Sequence, residues 1–194
     1  IVGMPNVGKS SLTNALLQKE QTIVTPIAGT TRDSIDSKLK YYGKTIILVD
    51  TAGLRKKSKL DDNIEFYSNV RTNRAITNSD VVLVVIDANK GFTKQDKSII
   101  DDVITKGKGM AILVNKWDLV QKETNTMKDF ESEISRQFKS LSNYPTLFIS
   151  AKTKQRISSV LKTANTIYNI RQKKLSTTEL NNFLQKVLKL QCTF

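Results

Sequence analysis

Histidine is absent from the sequence, and cysteine occurs once, at Cys192. The first absence excludes imidazole acid–base catalysis and histidine-based metal centres within this chain. The second excludes an internal disulfide and makes a reducing, cytoplasmic compartment the expected one. Long apolar runs are missing too. The longest, residues 81–86, falls far short of the roughly 20 residues a helix needs to cross a bilayer. Acidic residues are scarce, 18 against 31 lysines and arginines, which leaves a formal charge of +13. That excess points to a polyanionic partner, nucleic acid before an anionic membrane surface. A lysine-rich solvated face would give the same count.

What is present is an ordinary globular composition, 39% hydrophobic and 25% charged. Its elements alternate. A glycine turn precedes a helical run at 9–17, and strand-like stretches at 37–42 and 44–49 flank Gly43 as an antiparallel hairpin. Helical spacing follows at 65–77, 95–106, 126–141 and 157–170, and strands are expected at 81–86, 111–114 and 146–149. Strands joined by helix-length crossovers imply a mainly parallel sheet with helices on both faces. With Ile1 and Val2 as the remnant of a first strand, the count is six strands, one of them antiparallel. So short a remnant, and a first residue other than Met, read as a piece of a longer chain. After Arg171 the chain turns polar. Ser176 or Thr177 then caps a last helix with Leu180, Phe183, Leu184, Val187 and Leu188 on one face and no sheet left to cover it.

Residues 3–10, Gly3-Met4-Pro5-Asn6-Val7-Gly8-Lys9-Ser10, satisfy the phosphate-loop pattern GxxxxGK[ST] at every required position, between a strand end and a helix start. Gly3 and Gly8 let the backbone curl so that N–H groups, Val7 among them, converge on a phosphate at a helix N-terminus. Lys9 would bridge β- and γ-phosphates, the Ser10 hydroxyl would ligate Mg²⁺, and Ser11 is a further nucleotide-binding candidate. Asp50-Thr51-Ala52-Gly53 closes a β-branched stretch. The Asp50 carboxylate there can hold Mg²⁺ through a water, and the Gly53 N–H can meet a γ-phosphate. Asn115-Lys116-Trp117-Asp118 ends a later strand. The Asp118 carboxylate offers two acceptors to the N1–H and N2–H₂ of guanine, a match that adenine lacks. Lys116 can lie over the base plane, Asn115 can brace the loop, and Ser150-Ala151-Lys152 can supply a backbone N–H to the guanine O6. A D-T-A-G or S-A-K string alone also reads as a strand-ending turn. Four such motifs in this order define an α/β, doubly wound P-loop NTPase fold with guanine-nucleotide chemistry.

Two further features bear on hydrolysis. The loop Ala28-Gly29-Thr30-Thr31-Arg32-Asp33 has no apolar period, and one of its adjacent threonines can complete a Mg²⁺ shell when a triphosphate is bound. Leu54 follows Gly53, where many GTPases place the glutamine that orients the attacking water. Leucine cannot orient water, so water positioning and positive charge must come from elsewhere, and a monovalent cation beside the phosphates would do the job of an arginine finger.

The strings GMPNVGKSS, PIAGTTRD, DTAG and NKWD, with the helix Arg71-Thr72-Asn73-Arg74-Ala75-Ile76, resemble the second GTPase domain of the Der (EngA) family of ribosome-biogenesis GTPases. The resemblance runs from Ile1 to about Ile170. It implies a GTPase (G) domain at residues 1–172 with a truncated first strand. Residues 173–194 then form a linker and the first helix of a truncated C-terminal KH-like domain. It also implies Mg²⁺-dependent, potassium-stimulated hydrolysis of GTP to GDP. Asn6, Thr25, Ile27 and Thr30 would hold K⁺, and Ser10, Thr31 and Asp50 would hold Mg²⁺. Lys9, Asn6, Thr31 and Gly53 then form the catalytic set. The expected partners are rRNA, the large ribosomal subunit and the other domains of a full-length chain, with no membrane. Arg55, Lys56, Lys57 and Lys59 are candidate rRNA contacts. Two alternatives share these motifs. One is the G domain of the tRNA-modification GTPase MnmE, whose C-terminal cysteine Cys192 would match. The other is a hydrolysis-poor RNA-binding scaffold, which Leu54 and the net charge favour.

Overall fold

The computed structural model describes residues 1–19, 36–49, 64–121 and 126–191. Thr25, Ile27, Thr30, Thr31, Asp50, Thr51, Ala52, Gly53, Leu54, the basic run 55–59 and Cys192 lie outside the described residues.

Apolar alternation builds two cores back to back. β3 (Val81–Asp87) and β4 (Gly109–Asn115) are nearly continuous apolar runs, as strands covered on both faces must be. Successive side chains leave opposite faces of a strand. Val82, Val84, Ile86, Met110, Ile112 and Val114 therefore enter one core, and Leu83, Val85, Ala111 and Leu113 the other. The first core is covered by α2 (Ile64–Thr77), α3 (Lys94–Thr105) and α4 (Thr126–Gln137). The second is covered by α1 (Lys9–Lys19), α5 (Ile157–Gln172) and the hairpin of β1 (Ser37–Tyr41) and β2 (Lys44–Leu48). β3, β4 and β5 (Thr146–Phe148) form a parallel sheet in that order, with Asp87 in register with Asn115. Val2 adds a parallel bridge on the free side of β3. Its N–H donates to the Leu83 carbonyl at 2.9 Å, and its carbonyl accepts from Val85 at 2.8 Å.

The expectation of one six-stranded sheet is met only in its coarse form. Among the described residues there are five strands in two sheets, three parallel and two antiparallel, with Val2 as a single extra bridge. The hairpin turn has one residue more than Gly43 alone. Tyr42 (φ 45°) and Gly43 (φ 76°) both take positive φ, as a two-residue turn matched to strand twist requires. A second correction concerns the helix expected at 126–141. α4 stops at Gln137, because Phe138 leaves helical geometry at φ −149° and a short 3₁₀ turn, Lys139–Asn143, follows. Ile134 and Leu141 are both buried, but on two pieces rather than one helical stripe.

Gly109 fixes how closely α5 lies on the sheet. A Cβ there would stand 2.7 Å from Ile167 and 2.8 Å from Arg171, so any larger residue makes these side chains shift. The last helix, α6 (Thr177–Gln191), is capped by Ser176. The Ser176 Oγ accepts from the Glu179 N–H at 3.2 Å, and the Ser176 N–H donates to the Glu179 carboxylate at 2.9 Å. Leu180, Phe183, Leu184 and Leu188 on this helix are exposed. No helix among the described residues is long and apolar enough to cross a membrane.

Candidate nucleotide site

The loop from Gly3 to Gly8 joins the Val2 bridge to α1, and three residues in it carry positive φ: Gly3 at 143°, Asn6 at 64° and Gly8 at 98°. Asparagine is among the few side chains that accept the left-handed region, because its short amide can hydrogen-bond locally. The curl leaves Pro5, Asn6 and Ser10 exposed and buries Val7 in the second core. Lys9, the first residue of α1, folds back over the loop. Its ammonium donates to the Gly3 carbonyl at 2.8 Å and the Met4 carbonyl at 2.7 Å. An ammonium has three protons, so one remains for an anion above the loop. Burial holds the Lys9 ammonium below the usual lysine value of 10.5, since desolvation disfavours its charged form. An incoming phosphate would reverse that cost.

The second half of the site hangs from the C-terminal ends of β4 and β5, where ligands collect in open α/β sheets. Asn115 is 2% exposed and ties three segments together. Its Nδ2 donates to the Val7 carbonyl at 2.8 Å, and its Oδ1 accepts the Ala151 N–H at 3.0 Å. Gly8 allows this. A Cβ at Gly8 would collide with the Asn115 amide, and its φ is unfavourable to other residues. The Trp117 N–H donates to the Ile149 carbonyl at 3.1 Å. Its ring is buried against Phe148 and Phe130, with centroids 4.5 and 6.0 Å away. Asp118 follows on the same 3₁₀ turn, Trp117–Leu119. Its Oδ1 is buried and has no hydrogen-bond partner. A buried carboxylate oxygen left bare costs free energy, and a donor-bearing ligand would remove that cost. Ser150 is fully buried, and its Oγ accepts the Thr153 N–H at 3.0 Å. Lys152 is exposed.

The structure thus brings together Gly3, Asn6, Val7, Gly8, Lys9, Ser10 and Ser11 at the head of α1, and Asn115, Lys116, Asp118, Ser150, Ala151 and Lys152 at the ends of β4 and β5. It says nothing of Asp50, Thr51, Ala52, Gly53 or the loop threonines. Among the described residues, no cluster of three or more acidic or cysteine side chains could hold a metal ion by itself. Two contributors take their role only from the structure. Trp117 occupies the third position of its motif, and its large apolar side chain beside a strand end was the available signal. Asp87 was readable only as the polar end of an apolar run.

A curled GK[ST] loop against a doubly wound parallel sheet, with an N-K-x-D segment at the strand ends, is the arrangement of a P-loop GTPase G domain. The chain belongs to the 50S ribosome-binding GTPase family, which residues 1–116 match. It is similar to the protein named GTPase Der of Chlorobium phaeobacteroides (strain BS1), at 55% identity over 97% of this chain and 43% of that one. It is also similar to GTPase Der of Chloroflexus aggregans, at 50% identity over 97% of this chain and 42% of that one. The chain therefore spans less than half the length of the curated relatives it matches. Among solved structures it is similar to Era in complex with MgGDPNP and nucleotides 1506–1542 of 16S ribosomal RNA. That match has a TM-score of 0.63 and 29% identity, and covers 83% of this chain and 53% of that one.

Proposed function

We propose that this chain is the GTP-binding and GTP-hydrolysing switch of a larger cytoplasmic protein that acts in assembly of the large ribosomal subunit. The observation that carries the nucleotide half is the bare, buried Asp118 Oδ1 beside the Asn115 brace. It is an acceptor waiting for the paired donors of guanine. The Ala151 N–H is already taken by Asn115, so a contact to guanine O6 draws on the next N–H, that of Lys152, or shares the first. The ribosomal half rests on the family, the +13 charge and the rRNA-bound structural neighbour.

Within this reading, Lys9 keeps two protons on the loop and turns the third toward the β- and γ-phosphates, where charge develops as the phosphoryl group transfers to water. Ser10, with Thr31 and Asp50, would hold Mg²⁺, which neutralises phosphate charge. Asn6, with Thr25, Ile27 and Thr30, would hold K⁺, which supplies the positive charge that Leu54 and the absent histidines do not. The exposed position of Ser10 and Asn6 on the curled loop fits both roles. Val2, the hairpin and the parallel sheet together make up the six strands of the complete domain, and the exposed α6 opens a KH-like domain.

Asp118→Asn should shift preference from guanine to xanthine nucleotides, and an unchanged preference would remove the base assignment. GTP turnover by the unaltered chain, compared in potassium and sodium buffers of equal ionic strength, checks the rest. Equal rates would strike Asn6 from the catalytic set. No multiple turnover in either buffer would leave the RNA-binding scaffold as the better account.

A further inference from the structure

Asp87 ends β3, is 4% exposed, and belongs to none of the nucleotide motifs. Both of its oxygens are engaged. Oδ1 accepts the Asn89 N–H at 3.0 Å, and Oδ2 accepts the Lys116 ammonium at 2.6 Å. Backbone contacts fix the carboxylate relative to the base segment. Asp87 is the register partner of Asn115, and the Ala88 N–H donates to the Asn115 carbonyl at 2.9 Å. Lys116 itself stands on a left-handed backbone, φ 64°, and its side chain is 32% exposed against 5% for Asp87. Asp87 also walls a cavity of about 250 Å³ that the phosphate loop lines from the other side with Met4, Pro5, Asn6 and Val7.

A half-buried ion pair is poor evidence for stability, because desolvation of both ions consumes most of the Coulombic gain. What the pair does achieve is order. A lysine stem has four rotatable bonds, and fixing it at the moment of binding costs affinity that a pre-fixed stem does not lose. We propose that Asp87 is a positioning residue of the base site. It holds the Lys116 ammonium so that the lysine's methylene stem already lies in place to cover a purine base. This rests on the guanine-nucleotide reading above.

The test is a double-mutant cycle on the affinity of a fluorescent GDP, using the chain as described with Asp87→Ala, Lys116→Met and both together. Asp87→Ala should weaken binding about tenfold in the parent and by less than about twofold once Lys116 is methionine. Asp87→Asn keeps the shape and the Asn89 contact but not the charge. It should fall between the two, and it decides the cycle if the alanine variant does not fold. The guanine-to-xanthine preference, which belongs to Asp118, should not move in any of them. Equal losses in both Lys116 backgrounds would show that Asp87 acts only on the fold, and no loss in the parent would overturn the proposal outright. A parent chain that binds no guanine nucleotide fails at the first measurement, before any variant is compared, and takes the nucleotide reading and this proposal with it.

Discussion

The base segment, residues 115–118, and the terminal helix α6 stand at opposite ends of the burial scale. Asn115 and Trp117 are each 2% exposed, whereas Phe183 is 62% and Leu188 59% exposed. α6 has a complete capping box and a regular apolar stripe, so its local structure is fully specified. The base segment has no regular structure beyond a three-residue 3₁₀ turn and a lysine on a left-handed backbone. Order in the helix comes from neighbours along the chain. Order in the base segment comes from partners 36 and 108 residues away, Ala151 and Val7. Only the second kind of order couples loops that must meet around one ligand.

Breaking that coupling should give the largest effect. Asn115→Ala removes one amide that serves two buried groups, leaving the Val7 carbonyl and the Ala151 N–H without partners. Each buried orphan costs roughly 1–3 kcal/mol, so a loss of about 3 kcal/mol is expected. Chemical denaturation measures it, and a loss below about 1 kcal/mol would mean that water replaces the amide at both sites. GDP affinity should fall with stability, since the phosphate loop and the base segment lose the side chain that joins them.

An intermediate effect is expected where α5 crosses the sheet. Gly109→Ala places a methyl group 2.7 Å from Ile167 and 2.8 Å from Arg171. Both neighbours are side-chain atoms rather than backbone, so they can shift, and the cost should be about 1 kcal/mol. Nucleotide affinity should not change, because this contact lies at the opposite end of β4 from Asn115. A fall in affinity without a fall in stability would show that α5 and the base segment move together.

These sites also show what could be read from sequence. The phosphate loop and the base motif were legible because their chemistry is carried by residue type at fixed spacing, and nearly every strand and helix followed from apolar period. The helix expected at 126–141 ends at Gln137, because its apolar stripe continues through a break at Phe138 that periodicity does not register. β4 begins at Gly109 rather than at the expected residue 111, since a glycine in a strand reads as a terminator until the helix packed against it is known. Asp87 was invisible for a related reason. Its partner, Lys116, is 29 residues away in sequence and adjacent only once two strands are parallel.

The smallest effect should come from the terminal helix. Deleting residues 176–194 removes a capping box and an apolar face, yet Leu180, Phe183, Leu184 and Leu188 are exposed, so little apolar area returns to water when they go. Substitutions and truncations that break no buried contact stay within about 0.5 kcal/mol, and the melting transition of the shortened chain should match the parent. GDP affinity should match as well. What should change is self-association. An exposed stripe of four large apolar residues favours contacts between copies, so the parent should sediment with more dimer at high concentration than the shortened chain. A drop in stability of more than about 1 kcal/mol would show instead that α6 packs on the domain in solution. The contrast between a helix ordered by its own sequence and a loop ordered by its distant partners would then not hold.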